Sequence, residues 1–108
     1  MINSKTHVEA LVGCITACTD CAGICVNEGK MLDGCMRLSM QCISICQSLI
    51  QFIATGSSFV KQLSALCAEV CMACAKECSR HDEPGCRQCM NACMDCATVN
   101  NSFAASVL

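Results

Sequence analysis

Residues 67–78, CAEVCMACAKEC, place four cysteines at spacings of four, three and four residues. Side chains three and four positions apart lie on one face of an α-helix, so this stretch predicts a helix with a stripe of thiols along one side. Alternating spacings of three and four also form the seam that faces the centre of a helical bundle. The pattern therefore predicts a thiol-lined helix packed inside a bundle.

The same stripe recurs three more times along the chain. Residues 14–25 repeat the spacing, residues 35–46 carry it with Ser39 in one position, and residues 86–96 carry spacings of three, four and three. Four such stripes in one bundle must meet along its axis. Every cysteine belongs to a stripe, and we predict that all are metal ligands: Cys14, Cys18, Cys21, Cys25, Cys35, Cys42, Cys46, Cys67, Cys71, Cys74, Cys78, Cys86, Cys89, Cys93 and Cys96.

Glycine and proline interrupt the chain at three points, near Gly29, Gly56 and Pro84, and Pro84 is typical of a first helical turn. These breaks leave four segments joined by short connections, which favour antiparallel neighbours. We therefore expect one domain over residues 1–108, an all-α, antiparallel up-down-up-down four-helix bundle with a cysteine-lined core. The predicted helices span about 5–27, 31–54, 58–80 and 84–104.

The ends of these helices carry recognisable capping residues. Gly29 and Gly56 are suited to follow a helix C-terminus, where the backbone adopts a left-handed conformation. Ser57 or Ser58 is predicted to cap the third helix, and Asp82 the fourth, because their side-chain oxygens can accept from backbone N–H groups of a first turn.

The composition argues against several classes of protein. The net charge is −2, so no basic surface for nucleic acid is indicated. Residues 1–9 are polar and mixed in charge, unlike a signal peptide, and no uninterrupted apolar stretch reaches the length of a membrane span. We expect a cytoplasmic protein that contacts neither nucleic acid nor membrane. In a reducing compartment, 15 cysteines favour metal binding over disulfides, and an odd number fits full pairing poorly.

Extending the stripes by the same spacing predicts two different ends of the seam. His81 follows the third stripe and Met31 lies near it, so both are candidate ligands where a metal enters the bundle. His7 is expected to be exposed because it lies near the N-terminus. The apolar end is predicted to gather Leu11, Leu49, Ile53, Val60 and Phe103, and the thiol end Cys25, Cys35, Cys78, Cys86 and His81.

Thiolates are soft ligands that favour Cu(I), Zn(II) and iron–sulfur clusters. Cu(I) is satisfied by two sulfurs and one sulfur can bridge two ions, so a continuous stripe offers overlapping sites. Structural zinc requires separate sets of four ligands, and the bacterial ferredoxin spacing is absent. The residues favour a store for many Cu(I) ions without catalytic turnover, and the alternative is a zinc-handling or thiol redox protein.

The chain resembles a known family in these motifs. Residues 67–81 (CAEVCMACAKECSRH) and 86–96 (CRQCMNACMDC) are similar to the C-terminal half of bacterial copper storage proteins, and residues 34–46 are similar to their second helix. The resemblance covers most of the chain, from about Cys14 to Cys96. It implies a four-helix bundle, a homotetramer and reversible storage of many Cu(I) ions in the core. The lack of an export signal is typical of the cytosolic branch.

Four positions depart from the resemblance. His7, Leu11 and Asn100 stand where cytosolic relatives can carry cysteine, and Ser39 stands where they can carry an acidic residue. The resemblance therefore implies a lower copper capacity than in the most cysteine-rich relatives.

Overall fold

Four helices make up the computed structural model, which describes residues 3–29 and 34–106. Each helix packs against two others in the cyclic order α1, α2, α3, α4, so that the four enclose one central seam. This arrangement confirms the predicted four-helix bundle. The helices are α1 Ser4–Asn27, α2 Gly34–Ala54, α3 Val60–Cys78 and α4 Pro84–Ala104.

The helix C-termini follow the prediction from the glycines. Gly29 and Gly56 adopt φ values of 72° and 65°, the left-handed region in which a residue without Cβ is unstrained. At the end of α2, the Gly56 N–H donates to the Ile53 carbonyl at 3.1 Å and the Ser57 N–H to the Phe52 carbonyl at 3.0 Å. This pair of bonds satisfies the last carbonyls of the helix and reverses the chain toward α3.

The predicted N-caps are wrong at both α3 and α4. The residue before α3 is Phe59, and Ser57 instead accepts the Phe59 N–H at 3.1 Å within the connecting turn. The N-cap of α4 is Glu83 rather than Asp82. Pro84 holds the first helical position and its ring fixes φ, so the start of α4 is set by the proline and Asp82 lies one residue too early.

Small residues flank the thiol stripes and allow the helices to approach closely. Ala22, Ala68, Ala75 and Ala97 are buried beside the cysteines. Gly85 goes further, because a Cβ built on it would lie 2.1 Å from Cδ1 of Ile24 on α1. The first turn of α4 therefore rests directly on α1, close to the end of the bundle where Cys25 and Cys86 lie.

Helix α1 contains an 18-residue window with a mean hydropathy of 1.5, which by length and composition alone would suffice to cross a membrane, although Glu9, Thr16, Thr19 and Asp20 interrupt the apolar residues of the helix. Cysteine contributes strongly to this value because it counts as apolar. In the bundle, the cysteines of α1 are buried and the helix packs against both α2 and α4. One face of α1 is therefore enclosed by the bundle.

Candidate metal centre

The stripes meet along the axis, and all fifteen cysteines are reduced and buried. Cys14 on α1 lies 3.4 Å from Cys42 on α2 and 3.7 Å from Cys93 on α4, measured between Sγ atoms. Cys42 in turn lies 3.4 Å from Cys71 on α3. One thiol from each helix therefore meets at a single level of the bundle.

Such levels are linked into a continuous series. Among the groups of thiols whose Sγ atoms all lie within 4.8 Å of one another, four with four members and another with three form one series. Each group of four shares two cysteines with the next, and the last of these shares one cysteine with the group of three. In order along the series the groups are Cys46, Cys67, Cys71 and Cys96; Cys14, Cys42, Cys46 and Cys71; Cys14, Cys18, Cys42 and Cys93; Cys18, Cys74, Cys89 and Cys93; and Cys21, Cys78 and Cys89.

Some pairs of sulfurs have the spacing expected for a metal bound by three thiolates. Two metal–sulfur bonds of about 2.3 Å set at a trigonal angle hold their sulfurs about 4.0 Å apart. The Sγ distances of Cys14–Cys18, Cys14–Cys71 and Cys67–Cys71 are all 4.0 Å. Closer pairs, such as Cys21–Cys35 at 3.2 Å, would have to separate by several tenths of an ångström to bind one ion.

Ser39 completes the α2 stripe with oxygen in place of sulfur. Its Oγ is buried, 3.7 Å from Sγ of Cys74 and 3.8 Å from Sγ of Cys89. A hydroxyl is a harder and weaker ligand for a soft metal than a thiolate. At this level of the bundle, three helices supply thiols and the fourth supplies a hydrogen-bonding group.

The thiol end of the seam gathers the residues that the stripes predicted. Cys25, Cys35, Cys86 and His81 line one small cavity. His81 is partly exposed, and its Nε2 lies 3.4 Å from the Glu77 carboxylate. Cys35 links the lining of this cavity to deeper thiols, since its Sγ lies 3.3 Å from Sγ of Cys78. Met31, the other candidate ligand at this end, falls outside the described residues.

The opposite end contains the predicted apolar residues but also buries polar ones, and the expectation that His7 is exposed is wrong. Leu11 and Leu49 are fully buried there. His7 is 1% exposed, and its ring packs against Phe103 with centroids 4.9 Å apart. Two helical turns of α4 reach past the thiols and cover the start of α1, so a residue near the N-terminus is enclosed.

Sequence reasoning gave no role to Asn100, which is the hydrogen-bond partner of His7. His7 Nε2 lies 2.6 Å from Asn100 Oδ1, and the other end of the amide, Nδ2, donates to Sγ of Cys96 at 3.4 Å. The signal was present in the sequence, because His7 and Asn100 both extend thiol stripes at the same end of antiparallel helices. A buried polar residue at a seam position needs a partner, and each is the partner of the other.

Burial and hydrogen bonds between the thiols shift the pKa values of the cysteines in both directions. Burial raises the pKa of the Cys86 thiol from 9.0 to about 12, and burial also raises the pKa of Cys35. Deeper in the seam, a hydrogen bond donated by the Cys18 thiol lowers the pKa of Cys14. Donating this bond raises the pKa of Cys18. Each thiolate formed thus makes its neighbours harder to ionise. Metal binding must displace the protons that the thiols still carry.

A four-helix bundle whose thiol groups overlap along its axis defines a class of proteins that bind soft metals inside a helical core. The chain belongs to one family of that class, since the model of the copper storage protein family matches residues 2–105. This confirms the resemblance seen in the motifs.

Relatives match over nearly the whole chain. The uncharacterized cysteine-rich protein YhjQ of Bacillus subtilis is 39% identical over 104 residues, which cover 94% of this chain and 96% of the relative. The Cu(I)-bound copper storage protein BsCsp3 is 39% identical with a TM-score of 0.90, over 94% of this chain and 98% of that one. The apo form of copper storage protein 3 from Bacillus subtilis has a TM-score of 0.89 at 39% identity, over 95% and 100% of the two chains.

Proposed function

We propose that this copper storage protein holds many Cu(I) ions on thiolates that are shared between neighbouring ions along the bundle axis. The observation that carries the proposal is the overlap of the thiol groups, in which successive groups of four have two cysteines in common. A shared thiolate can bridge two Cu(I) ions, so the series provides a column of linked sites. All fifteen cysteines are proposed as ligands.

The same overlap disfavours zinc as the cargo. A structural zinc ion takes four ligands of its own in a closed tetrahedral site. If the group of Cys14, Cys42, Cys46 and Cys71 held zinc in this way, the two neighbouring groups would each lose two ligands. The similarity to the Cu(I)-bound protein BsCsp3 supports copper.

We propose that copper enters at the thiol end. His81 lines the cavity there together with Cys25, Cys35 and Cys86, and imidazole nitrogen is a suitable ligand for an incoming ion. Met31 is proposed as a second ligand at this end. The far end offers less access to copper, because Leu11 and Leu49 are fully buried and the cavity on its surface contains no cysteine.

Storage is proposed to take place in the cytoplasm, in a homotetramer and without a catalytic step. A reducing compartment keeps fifteen buried thiols available for metal. Exposed apolar side chains, among them Met40 and Leu66, support self-association. Met40 also borders a groove of about 420 Å³ between α2 and α3 that a second copy could cover. Light scattering of the reduced protein tests the tetramer.

An anaerobic titration of the reduced protein tests the function. Cu(I) and, separately, Zn(II) are added in competition with a chromophoric chelator of each ion. Because a thiolate sulfur can serve more than one ion, we expect on the order of one Cu(I) per cysteine at saturation. Saturation at one to three Cu(I) per chain, or tight zinc binding in sets of four thiols, would contradict the proposal.

A further inference from the structure

The hydrogen bond from Asn100 to Cys96 joins the thiol series to a buried polar pair that storage does not explain. Asn100 lies one turn beyond Cys96 on the same face of α4 and is 0% exposed. Its Nδ2 is 3.4 Å from the Cys96 sulfur, within the range of an N–H···S hydrogen bond. A polar amide is costly to bury in an apolar end unless both of its halves are bonded.

Chemistry fixes the direction of each bond once the thiol has become a metal-bound thiolate. A thiolate sulfur can only accept, so the amide must present its N–H₂ group to Cys96 and its oxygen to His7. The amide oxygen can only accept, so His7 must donate from Nε2, which lies 2.6 Å away. His7 therefore holds Asn100 in the one orientation that supplies a donor to the sulfur.

Cys96 has a particular place in the series. It belongs to the terminal group of four thiols, with Cys46, Cys67 and Cys71. The stripe of α4 continues beyond Cys96 with Asn100 and not with another thiol. The Cys96 sulfur thus has metal-binding neighbours on one side and an amide N–H at the other.

We propose that Asn100 is a positioning residue for the last copper site. Its N–H occupies a lone pair of the Cys96 thiolate, so that this sulfur is a terminal ligand facing Cys46, Cys67 and Cys71. The bond also stabilises the negative charge on a sulfur that no further Cu(I) can share. The inference rests on the proposed storage function, since it needs copper on Cys96.

Nuclear magnetic resonance of the unaltered protein gives a direct test. The side-chain amide protons of Asn100 are followed while the reduced protein is filled with Cu(I). We expect one of them to shift as Cys96 becomes a thiolate, whereas the exposed Asn91 and Asn101 on the same helix should shift little. An Asn100 amide that keeps its metal-free resonance in the filled protein would overturn the proposal.

Substitutions give the energetic test. Asn100→Leu removes the donor at similar shape, and His7→Phe removes the bond that orients the amide while keeping a ring against Phe103. Removing an outer hydrogen bond of this kind lowers metal affinity about tenfold. For Asn100→Leu we expect this loss of affinity for a minority of the bound Cu(I) ions, which should transfer more easily to a competing chelator. For His7→Phe we expect a smaller loss of affinity and a smaller shift of the Asn100 amide protons on addition of Cu(I).

Ser64→Ala is the matched control. Ser64 is also fully buried near this end, and within residues 3–29 and 34–106 its Oγ has no hydrogen-bond partner. Its chelator curve should match the unaltered protein. Identical curves for folded Asn100→Leu and the unaltered protein would contradict the inference. A failure of storage itself would look different, since the unaltered protein would then not bind many Cu(I) ions.

Discussion

Glu77 lies in the last turn of α3 and His81 lies three residues beyond the end of that helix, at the thiol end of the bundle. His81 is partly exposed, while Cys35 and Cys86 beside it are almost fully buried. An ion arriving from solvent therefore meets an imidazole before it meets most of the sulfurs. The carboxylate of Glu77, 3.4 Å from Nε2, restrains the ring.

Replacement of His81 should affect the rate of loading and not the capacity. In His81→Ala the thiols are all retained, so the number of Cu(I) ions bound at saturation should be nearly unchanged. Transfer from a Cu(I)–chelator complex, followed by stopped-flow absorbance, should be several-fold slower. Asp82→Ala, an exposed neighbour, serves as the control and should load at the normal rate. Equal rates for His81→Ala and the unaltered protein would remove His81 from the path of the metal.

Single residues also show where sequence reasoning reaches its limit. The spacing of His7, Leu11 and Cys14 correctly placed His7 on the seam, yet its position near the N-terminus suggested exposure. Burial depends on what the other helices bring to the same place, here Asn100 and Phe103 of α4. Which residues meet at one level depends on the register between helices. The periodic pattern within one helix does not determine this register.

At the scale of helices, the contact between α1 and α4 depends on one glycine. A methyl group on Gly85 would meet Cδ1 of Ile24 at 2.1 Å, so Ile24 would have to change rotamer or α4 would have to move outward. Overpacking of this kind costs about 1–3 kcal/mol. The gain in helix propensity from glycine to alanine is about 1 kcal/mol at most. The cost of the clash should prevail.

We therefore expect Gly85→Ala to lower the thermal midpoint of the reduced, metal-free protein. Ile24→Ala should relieve the clash, so that the double variant is destabilised by less than the sum of the two single variants. Gly23→Ala in α1 is the matched control, because nothing lies within 4 Å of its added Cβ, and it should stabilise the protein by about 0.5–1 kcal/mol. Additive effects of Gly85→Ala and Ile24→Ala would show that the two residues do not constrain each other.

The helices themselves were well indicated by the sequence. Thiol spacings gave the buried face of each helix, and Gly29, Gly56 and Pro84 marked three of the ends. The predicted start of α3 at about residue 58 was two residues early. Serine in a turn can bond to the backbone without starting a helix, as Ser57 does, so the capping signal alone did not fix the boundary.

At the scale of the whole molecule, we expect the fold not to depend on metal for its core. Buried thiols pack as small apolar groups, and Leu11, Leu49 and the flanking alanines complete the interior. We expect the reduced, metal-free protein to be strongly helical, with a far-ultraviolet circular dichroism spectrum that changes little on addition of Cu(I). Copper should raise the thermal midpoint, since it binds the folded state in preference to the unfolded state. A disordered spectrum that becomes helical only with metal would contradict a preformed bundle.

Stability of the metal-free bundle should fall at alkaline pH. Burial raises the pKa of Cys86 from 9.0 to about 12 and also raises that of Cys35, so these thiols stay protonated when folded at a pH where an unfolded chain ionises them. The stabilisation is fully present below pH 9 and is lost as pH rises toward 12. Anaerobic melting curves at pH 7.5, 9 and 10 should show a falling midpoint for the metal-free protein. The copper-filled protein, whose thiols have already lost their protons, should show a smaller change, and equal slopes would contradict this account.

Because successive groups share cysteines, the affinity of an empty metal site depends on whether the neighbouring sites are filled. An ion that binds one group has already deprotonated and oriented two of the sulfurs that the adjacent group requires. The adjacent position is therefore easier to fill than a distant one, as in a one-dimensional lattice with nearest-neighbour coupling. A half-loaded chain is then a contiguous block of copper beside an empty stretch, with a boundary that advances on loading and retreats on release.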